Sequence, residues 1–368
     1  MKAFLRDPHP LLPAAILLLA GALFLGWVIA SGGGDPLVLA RLGTRFSQGA
    51  PGGTEGYDGQ FVYYIARDPR PQAVAPHLDV PAYRYQRILL PLAARALSAG
   101  DPRIIPWALA VIGLLSQAAG VWVVGELLAG WGTSRWYSLA YGTFAGFVLA
   151  LRLDLPEPLA YALAAGGLLA AERKKEGLSA LLYSLALFAK EVSAVFLAAQ
   201  VLAYLFQRRY KSAFGLAAAA GLPFLLFQVW LWAQFGQPGL GSGGAMATPF
   251  EWVPLMGLLR IGSESVFYLI AMLIVFGPSL LLPTFWGLWS TVKRWSSGEI
   301  NVVVLGLLLN AALILFLPYS TSRETGGLLR FACGLVLAVI LYAGRYQVRR
   351  VLNYSFLWFA LNAFLIKP

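Results

Sequence analysis

A single carboxylate, Asp58, stands out in the longest polar stretch of the chain. It lies between two glycines, shortly after the first long apolar run. A carboxylate in such a loop could take a proton from the hydroxyl group of an acceptor, as a general base does. It could equally form an Asp-Gly turn or cap a helix that begins near position 61. The neighbours Tyr57, Gln60 and Tyr64 are predicted to contact a substrate, because tyrosines offer flat amphipathic surfaces that suit a sugar or a headgroup.

Two arginines, Arg84 and Arg87, dominate the next polar segment, at positions 83–87. Read as one helix that continues to position 99, this segment places Arg84, Arg87 and Arg95 on one face, opposite aliphatic residues. That pattern is typical of an amphipathic helix at a membrane interface. A guanidinium group holds phosphate through two parallel hydrogen bonds, which predicts phosphate binding at Arg84 or Arg87. Simple attraction to lipid headgroups is the alternative.

Two further pairs of charged residues interrupt apolar runs. Asp154 and Glu157 lie in a proline-containing turn and could coordinate a divalent cation through their oxygen atoms. Alternatively, this turn only ends one helix and begins the next. Lys190 and Glu191 lie in the middle of an apolar interval. Ionisable groups at membrane depth are costly, so they usually line a site or pair with each other. All four are predicted as candidates for substrate contact.

Arg323 and Arg330 are the last polar candidates. They stand at the entry to an apolar run at 329–344, where Arg330 is predicted to lie in the first helical turn. Such an arginine could point into a cavity and bind a phosphate or pyrophosphate. It could also extend its charged end to the membrane interface, which is the usual behaviour of a lone arginine.

The elements that position these residues are predicted to be membrane helices. The chain of 368 residues is 59% hydrophobic and 12% charged, and its apolar runs are long enough to span a bilayer. One cysteine excludes an intramolecular disulfide, and two distant histidines argue against a histidine-based metal site. The net charge of +11 is spread in small clusters between apolar runs, which argues against nucleic acid as a partner.

The apolar runs predict an all-α polytopic membrane protein with a single transmembrane domain over 1–368 and about eleven spans, within a range of ten to twelve. A long extracytoplasmic loop at 31–103, which contains the interfacial helix, follows the first span; that span is predicted to be retained rather than cleaved as a signal peptide. The predicted spans are 11–30, 104–129, 136–151, 155–171, two short crossings within 178–206, 212–234, 265–292, 300–318, 329–344 and 351–366.

The distribution of Lys and Arg predicts the orientation of the chain. If Lys2 and Arg6 are cytoplasmic, the basic clusters at 173–175 and 208–211 are also cytoplasmic only when 178–206 crosses twice and turns at Lys190-Glu191. The C-terminus is then extracytoplasmic. The same threading brings the turns at 152–157 and 190–191 to the face that carries the 31–103 loop. The polar candidates therefore converge on the extracytoplasmic face of a cytoplasmic (inner) membrane.

These motifs resemble the GT-C class of membrane glycosyltransferases, and in particular a bacterial branch with a Tyr-Asp-Gly-Gln-Phe type first loop followed by a Tyr-Arg-Tyr-Gln-Arg segment. The resemblance extends from the first span to about residue 210. It implies that Asp58 is the general base and that the donor is a sugar linked to polyprenyl phosphate. The Ala-Lys-Glu at 189–191 and the Asp-Leu-Pro-Glu-Pro at 154–158 match the class as well. The first loop has no Asp-X-Asp, so a divalent cation is an open possibility and no metal ligand is assigned.

The resemblance thus implies transfer of a sugar from polyprenyl phosphate to an acceptor, with inversion at the anomeric carbon and with Arg84, Arg87, Arg323 and Arg330 neutralising the departing phosphate. The partners would be the lipid-linked donor and membrane lipids. A transporter or flippase of lipid-linked saccharides is the first alternative, although it predicts polar residues along a pathway at the bilayer midplane. A non-catalytic assembly subunit is the second, and it should tolerate loss of Asp58.

Overall fold

A computed structural model describes residues 7–365, and within that range the chain forms helices and no strands. The orientation signals Lys2 and Arg6 lie outside the described residues. Five helices are long and apolar enough to cross a membrane, as expected for a helical membrane protein. They are Leu12–Ser31, Ile105–Gly130, Tyr210–Phe235, Val266–Ser296 and Thr325–Arg345.

Shorter helices connect and surround these five. The described chain also contains the α-helices Gly59–Arg67, Pro81–Tyr85, Leu89–Leu97, Ser138–Gly142, Ala145–Arg152, Glu157–Glu172, Glu176–Ala189, Ala194–Phe206, Met256–Glu264, Val302–Leu315, Tyr319–Arg323 and Arg349–Ser355, with helical turns at Thr44–Ser47 and Pro71–Val74. A 3₁₀ segment, Phe356–Leu365, ends the described chain, so position 366 of the last predicted span lies beyond it. At about 1.5 Å per residue, several of these helices are shorter than a hydrocarbon core of about 30 Å.

The helix Thr325–Arg345 forms the centre of the core. Along its most apolar stretch this helix is 83% buried, because other helices pack on all sides of it. The side chains of Tyr141, Phe147 and Tyr161 fill the space beside it and belong to the same hydrophobic cluster. Arg330, near one end of this helix, therefore projects from a rigid, central element.

The predicted single helix at 136–151 is wrong, because the chain breaks between Ser138–Gly142 and Ala145–Arg152. A side chain at Gly142 would lie 2.4 Å from Val121, so this position packs tightly against a neighbouring helix. The break frees backbone carbonyl groups that cannot be left unpaired in an apolar interior. Gln117 and Asn362 donate side-chain hydrogen bonds to the carbonyls of Gly142 and Thr143, at 2.9 and 2.8 Å.

The segment predicted to cross twice does reverse its direction. Glu176–Ala189 ends at Lys190, whose extended backbone breaks the helix, and Ala194–Phe206 follows after a short turn. Arg209 lies 2.6 Å from Glu176, which joins the exit of the segment to its entrance. The segment therefore starts and ends at the same place, and the turn at Lys190 is the point farthest from it.

The region between the first two long helices is folded rather than loose. Gly59–Arg67 and Leu89–Leu97 pack against the beginning of Ile105–Gly130 in a separate hydrophobic cluster. Arg95 donates to the carbonyls of Ala66 and Arg67 and so binds the C-terminal end of Gly59–Arg67.

The prediction of one continuous helix from 83 to 99 is wrong. Pro81–Tyr85 and Leu89–Leu97 are separate helices, and the three arginines do not share a face at the surface. Arg84 and Arg87 are turned into the protein, with side chains only 10% and 9% exposed. The reason is that buried carboxylates attract both side chains inward.

Candidate active site

A cavity of about 450 Å³ lies where the folded first loop meets the ends of three other elements. Its wall includes the turn at Lys190 and the start of Thr325–Arg345, together with a loop at 244–247. The predicted candidates that line it are Tyr57, Asp58, Gln60, Arg84, Arg87, Lys190 and Arg330. Residues that are more than 270 positions apart in sequence therefore share one polar chamber.

Asp58 forms ion pairs with two arginines. Arg84 Nη1 lies 2.9 Å from Oδ1, and Arg330 Nη1 donates to Oδ2 at 2.7 Å. The side chain is 27% exposed, so the carboxylate remains accessible from the cavity. Burial alone favours the protonated acid, but the two guanidinium groups outweigh it and hold the pKa of Asp58 well below its usual value.

The alternative that Asp58 caps a helix is not supported by the geometry. Asp58 occupies the position before Gly59–Arg67, but its side chain makes no capping hydrogen bond. Gly59 instead explains how the helix start reaches the site. A side chain at Gly59 would lie 2.1 Å from the carbonyl oxygen of Leu153, so only glycine permits this close approach.

Arg84 is held in place by a second carboxylate, Asp79. The Nε and Nη2 atoms of Arg84 donate to the two oxygens of Asp79 at 2.7 and 2.8 Å, which is the two-point geometry of a guanidinium–carboxylate pair. The guanidinium also lies 4.4 Å from the ring centre of Phe61. Burial would raise the pKa of Asp79, but the hydrogen bonds from Arg84 outweigh burial and lower the pKa.

Asp79 also connects Arg84 to the loop that covers the cavity. The backbone N–H of Ala245 donates to Asp79 at 3.1 Å. A side chain at the neighbouring Gly244 would lie 2.8 Å from Arg84 Nη2, so the absence of one lets the loop approach the guanidinium closely. Arg84 is thereby fixed on two sides.

Arg87 is held in the same manner by Glu191. Its Nε and Nη2 atoms donate to the Glu191 carboxylate at 2.8 and 2.6 Å, and Nη2 also donates to the hydroxyl of Tyr83 at 2.7 Å. Simple attraction to lipid headgroups does not explain the position of Arg87, which is buried and donates three hydrogen bonds within the protein. Since Glu191 pairs with Arg87, it is not the partner of Lys190.

Glu157 holds the remaining two cations. Its Oε1 atom accepts from Lys190 Nζ at 2.5 Å and from Arg330 Nε at 2.6 Å. Glu157 is fully buried, and Lys190 and Arg330 are nearly so. The helix that carries Arg330 begins at Thr325, which places this arginine in the second turn rather than the first.

The charges are arranged in two layers. Arg84, Arg87, Lys190 and Arg330 line the cavity, whereas Glu157 and Glu191 lie behind them and do not. These two carboxylates fix Arg87, Lys190 and Arg330 and offset the cost of burying them, whereas Asp79, which holds Arg84, is part of the wall. Glu55, Asp58 and Glu324 line the cavity as well, so the wall carries both signs of charge. Its guanidinium and ammonium groups are the part that suits an anion such as a phosphate group.

Tyr57 and Gln60 also line the cavity and have different roles. Tyr57 donates to Glu324 at 2.8 Å, and burial raises the pKa of Tyr57, so it remains a hydroxyl donor at neutral pH. Gln60 accepts from the Gly43 N–H at 3.0 Å and donates to the Glu55 carbonyl at 2.7 Å. Its amide thus holds the loop together beside the cavity.

Besides Glu157 and Glu191, three predicted candidates do not line the cavity. Tyr64 is buried in the first loop and stacks on His77, with ring centres 5.0 Å apart. Asp154 is buried with a positive φ of 52°, neither carboxylate oxygen has a partner within the described part of the chain, and burial raises its pKa well above the usual value. Arg323 is exposed and lies over the ring of Tyr319. Substrate contact by these three is not supported by their positions.

The carboxylates at the site do not fit a divalent cation. Within residues 7–365 no three His, Cys, Asp or Glu side chains form a possible ligand group. Asp58, Asp79, Glu157 and Glu191 are each already paired with arginine or lysine. A cation here would have to compete with four fixed positive charges.

Two residues of the site were not among the predicted candidates, Asp79 and Glu324. Asp79 lies five residues before Arg84 and two before Pro81, where a turn residue is the ordinary interpretation. Its proximity to an arginine in sequence was the only available signal. Glu324 reaches Tyr57 across 267 positions, and no local pattern reports such a contact.

Comparison of the chain with protein-family models, with curated proteins and with solved structures gives no match in any of the three.

Proposed function

We propose that the protein is a membrane glycosyltransferase that moves a sugar from a polyprenyl-phosphate donor to an acceptor hydroxyl. The observation that carries this proposal is Asp58, a carboxylate paired with Arg84 and Arg330 in a cavity that Arg87 and Lys190 also line, among membrane helices. Transfer from a lipid phosphate requires both components. A base receives the proton of the acceptor, and positive charge stabilises the phosphate as it departs.

The cationic wall forms the phosphate subsite. Arg84, Arg87, Lys190 and Arg330 surround the place where negative charge develops as the sugar–phosphate bond breaks. Because Asp79, Glu157 and Glu191 hold them, the cations are already near the phosphate once the donor has bound. The lipid tail enters between helices, so the donor headgroup reaches the cavity from the membrane.

The reaction itself is a displacement at the anomeric carbon. The acceptor oxygen forms a bond to this carbon while the bond from carbon to phosphate oxygen breaks, and the bonding electrons leave with the phosphate. Asp58 takes the proton of the acceptor hydroxyl. Inversion of configuration follows from attack on the face opposite the departing phosphate.

Donor binding has a further consequence for Asp58. In the free protein both of its oxygens are paired with arginines, which makes it a weak base. A bound phosphate competes for the same guanidinium groups and draws Arg84 and Arg330 away from the carboxylate. The pKa of Asp58 then rises toward the range in which a carboxylate accepts a proton, and it does so only when the donor is present.

The cavity is proposed to open on the extracytoplasmic side of a cytoplasmic membrane, with the N-terminus cytoplasmic. The support is the basic clusters at 173–175 and 208–211. They lie at the ends of helices whose other ends, at Glu157 and Lys190, reach the cavity. Positive residues of short loops favour the cytoplasmic side.

A direct test uses purified protein and a polyprenyl-phosphate hexose labelled in the sugar. Water acts as a slow substitute acceptor, so release of free hexose and polyprenyl phosphate reports bond cleavage even when the natural acceptor is unknown. We expect release that requires Asp58. Movement of intact lipid-linked sugar across a liposome bilayer, without cleavage, would instead establish a flippase and contradict the proposal.

A further inference from the structure

A second cavity lies at the opposite end of the central helix from Arg330. It has a volume of about 240 Å³ and is bounded by aliphatic side chains such as Leu282 and Val339 and by the rings of Trp286, Tyr354 and Trp358. Arg350 is the one charged residue among the described residues of its wall. Val339 lies nine residues after Arg330 on the central helix, or about 14 Å at 1.5 Å per residue, and the two cavities share no lining residue.

The cavity runs along the α-helix Arg349–Ser355 and the 3₁₀ segment Phe356–Leu365. Arg350 and Tyr354 are four residues apart on the α-helix, which places them on one face. Trp358, in the 3₁₀ segment, continues the same wall. The cavity therefore runs as a groove, charged at the Arg350 end and apolar toward Trp358, with the shape and polarity of a lipid acyl chain attached to a headgroup.

The charged end is strongly and uniformly basic. Arg345, Arg349 and Arg350 are exposed, and no acidic residue follows Glu324 in the sequence. Among the described residues neither Arg349 nor Arg350 has an ion pair. In contrast to the arginines of the first cavity, these have no carboxylate that neutralises them. Basic pockets between membrane helices are typical sites for anionic lipid headgroups.

The apolar end is formed by the ring of Trp358, which is 2% exposed. Its indole Nε1 has no partner in the described structure and is itself buried, so the ring and not this donor faces the groove. Leu282 lies at the rim, is 54% exposed and lines the same groove.

We propose that this groove binds one anionic phospholipid, with its phosphate at Arg350 and an acyl chain along Trp286 and Trp358. The site belongs to the leaflet opposite the Asp58 cavity, and the proposal does not rest on transferase activity. An arginine without an ion pair among the described residues and an apolar slot beside it are the two features that a phospholipid would satisfy together.

The test measures which lipid remains bound. Delipidated protein in detergent receives equal amounts of phosphatidylglycerol and phosphatidylcholine with identical acyl chains, and native mass spectrometry reports the bound ratio. Wild type should retain one lipid, with phosphatidylglycerol preferred. Arg350→Gln should reduce that preference about fivefold, the usual effect of one basic residue near a lipid surface. Leu282→Trp should reduce binding of both lipids by filling the groove.

The matched control is Arg208→Gln, which removes an exposed arginine from a different basic cluster. This variant should keep the wild-type lipid ratio. Equal loss of preference in Arg208→Gln and Arg350→Gln would show non-specific attraction and overturn the proposal. Displacement of phosphatidylglycerol by equimolar undecaprenyl phosphate would overturn it too, in favour of the donor lipid as the occupant.

Discussion

The cavity that contains Asp58 and the groove that ends at Arg350 differ in whether their positive charges are paired with carboxylates. In the cavity each of the four largely buried cations of the wall is held by at least one carboxylate at 2.9 Å or less. In the groove Arg350 has no acidic partner among residues 7–365 and stands at the end of an apolar slot. The cations of the cavity are held in place before a ligand binds, whereas the charge of Arg350 would be paired only by a bound ligand.

The difference has an energetic consequence. Removal of one partner from a buried pair leaves an uncompensated charge, so the cavity should respond strongly to single substitutions. Removal of an exposed, unpaired arginine leaves nothing behind. Strong coupling also means that a donor phosphate entering the cavity must replace existing ion pairs. The following variants separate these behaviours.

The largest effect is expected for stability, from Glu157→Gln. Glu157 is the partner of both Lys190 and Arg330, so its neutralisation leaves two buried cations without a full counter-charge. We expect a loss of about 3–5 kcal/mol in the free energy of unfolding, measured by thermal unfolding in detergent. Glu299→Gln is the control. Its pair with Arg294 is about 40% exposed on both sides, and it should cost no more than about 1 kcal/mol. Equal shifts in the two variants would contradict the proposed second layer.

Arg84→Lys should lower transfer by roughly tenfold to a hundredfold, corresponding to about 1.5–3 kcal/mol for a charge-assisted hydrogen bond. Arg84 contacts both Asp79 and Asp58 through three nitrogen atoms, and an ammonium group cannot reproduce that planar fork. Arg45→Lys is the comparison, because Arg45 lines the same cavity but is 45% exposed. If lysine serves equally well at position 84, the cavity needs only a positive charge and not a fixed guanidinium.

The pH dependence of transfer should shift in a defined direction. Arg84 and Arg330 lower the pKa of Asp58 in the free protein, so Asp58 stays ionised below the usual carboxyl value of about 3.9. The acid limb of kcat/KM reports the free enzyme and should lie below about pH 4, whereas the acid limb of kcat reports the donor complex and should lie at higher pH. Coincident limbs would mean that the donor leaves the ion pairs of Asp58 intact.

The same lowered pKa bears on folding. The ion pairs of Asp58 stabilise the folded protein fully above about pH 4, where the carboxyl group is ionised in the unfolded chain as well. This stabilisation is lost as the pH falls from there through the lowered pKa of the folded protein.

In Arg84→Gln one of the two guanidinium groups beside Asp58 is gone, so the pKa of Asp58 is lowered less. The acid limb of kcat/KM should therefore move to higher pH. A limb that stays in place in this variant would assign it to another group.

The smallest perturbation tests sidedness and should leave activity unchanged. After Cys333→Ala, single cysteines at the exposed positions Ser47 and Gln207 should differ in their labelling by a membrane-impermeant maleimide added to whole cells. Ser47→Cys should react and Gln207→Cys should not. Reaction of both would place the loop and the end of Ala194–Phe206 on one side, against the proposed threading.

The sequence was most informative where polarity is rare. Lys190 and Arg330 could be chosen because charges within or beside apolar runs are costly, and Asp58, Arg84 and Arg87 because they lie in the polar interval of an otherwise apolar chain. All five line one cavity. Their roles in binding and catalysis remain predictions. Five of the predicted spans correspond to long apolar helices, since continuous apolar length is a direct physical signal.

Pairing and local breaks were not predictable from such signals. Asp79 and Glu324 act through contacts that depend on the packed fold, and Asp154 was chosen on polarity although it is buried without a partner. The break after Gly142 depends on how closely Val121 packs against it. Sequence patterns report which groups are costly to bury but not which group satisfies another.

The most direct test of the proposed transfer is the turnover of a radiolabelled polyprenyl-phosphate sugar by Asp58→Asn. Asparagine cannot accept the proton, while Asp79 and Glu157 still hold Arg84 and Arg330. The variant should therefore fold, bind the donor and lose transfer by about 10²–10⁴-fold. Asp68→Asn makes the same substitution at an ion pair with Arg70 outside the cavity and should turn over donor at the wild-type rate. Near-equal rates for Asp58→Asn and wild type would contradict the assignment of Asp58 as the base.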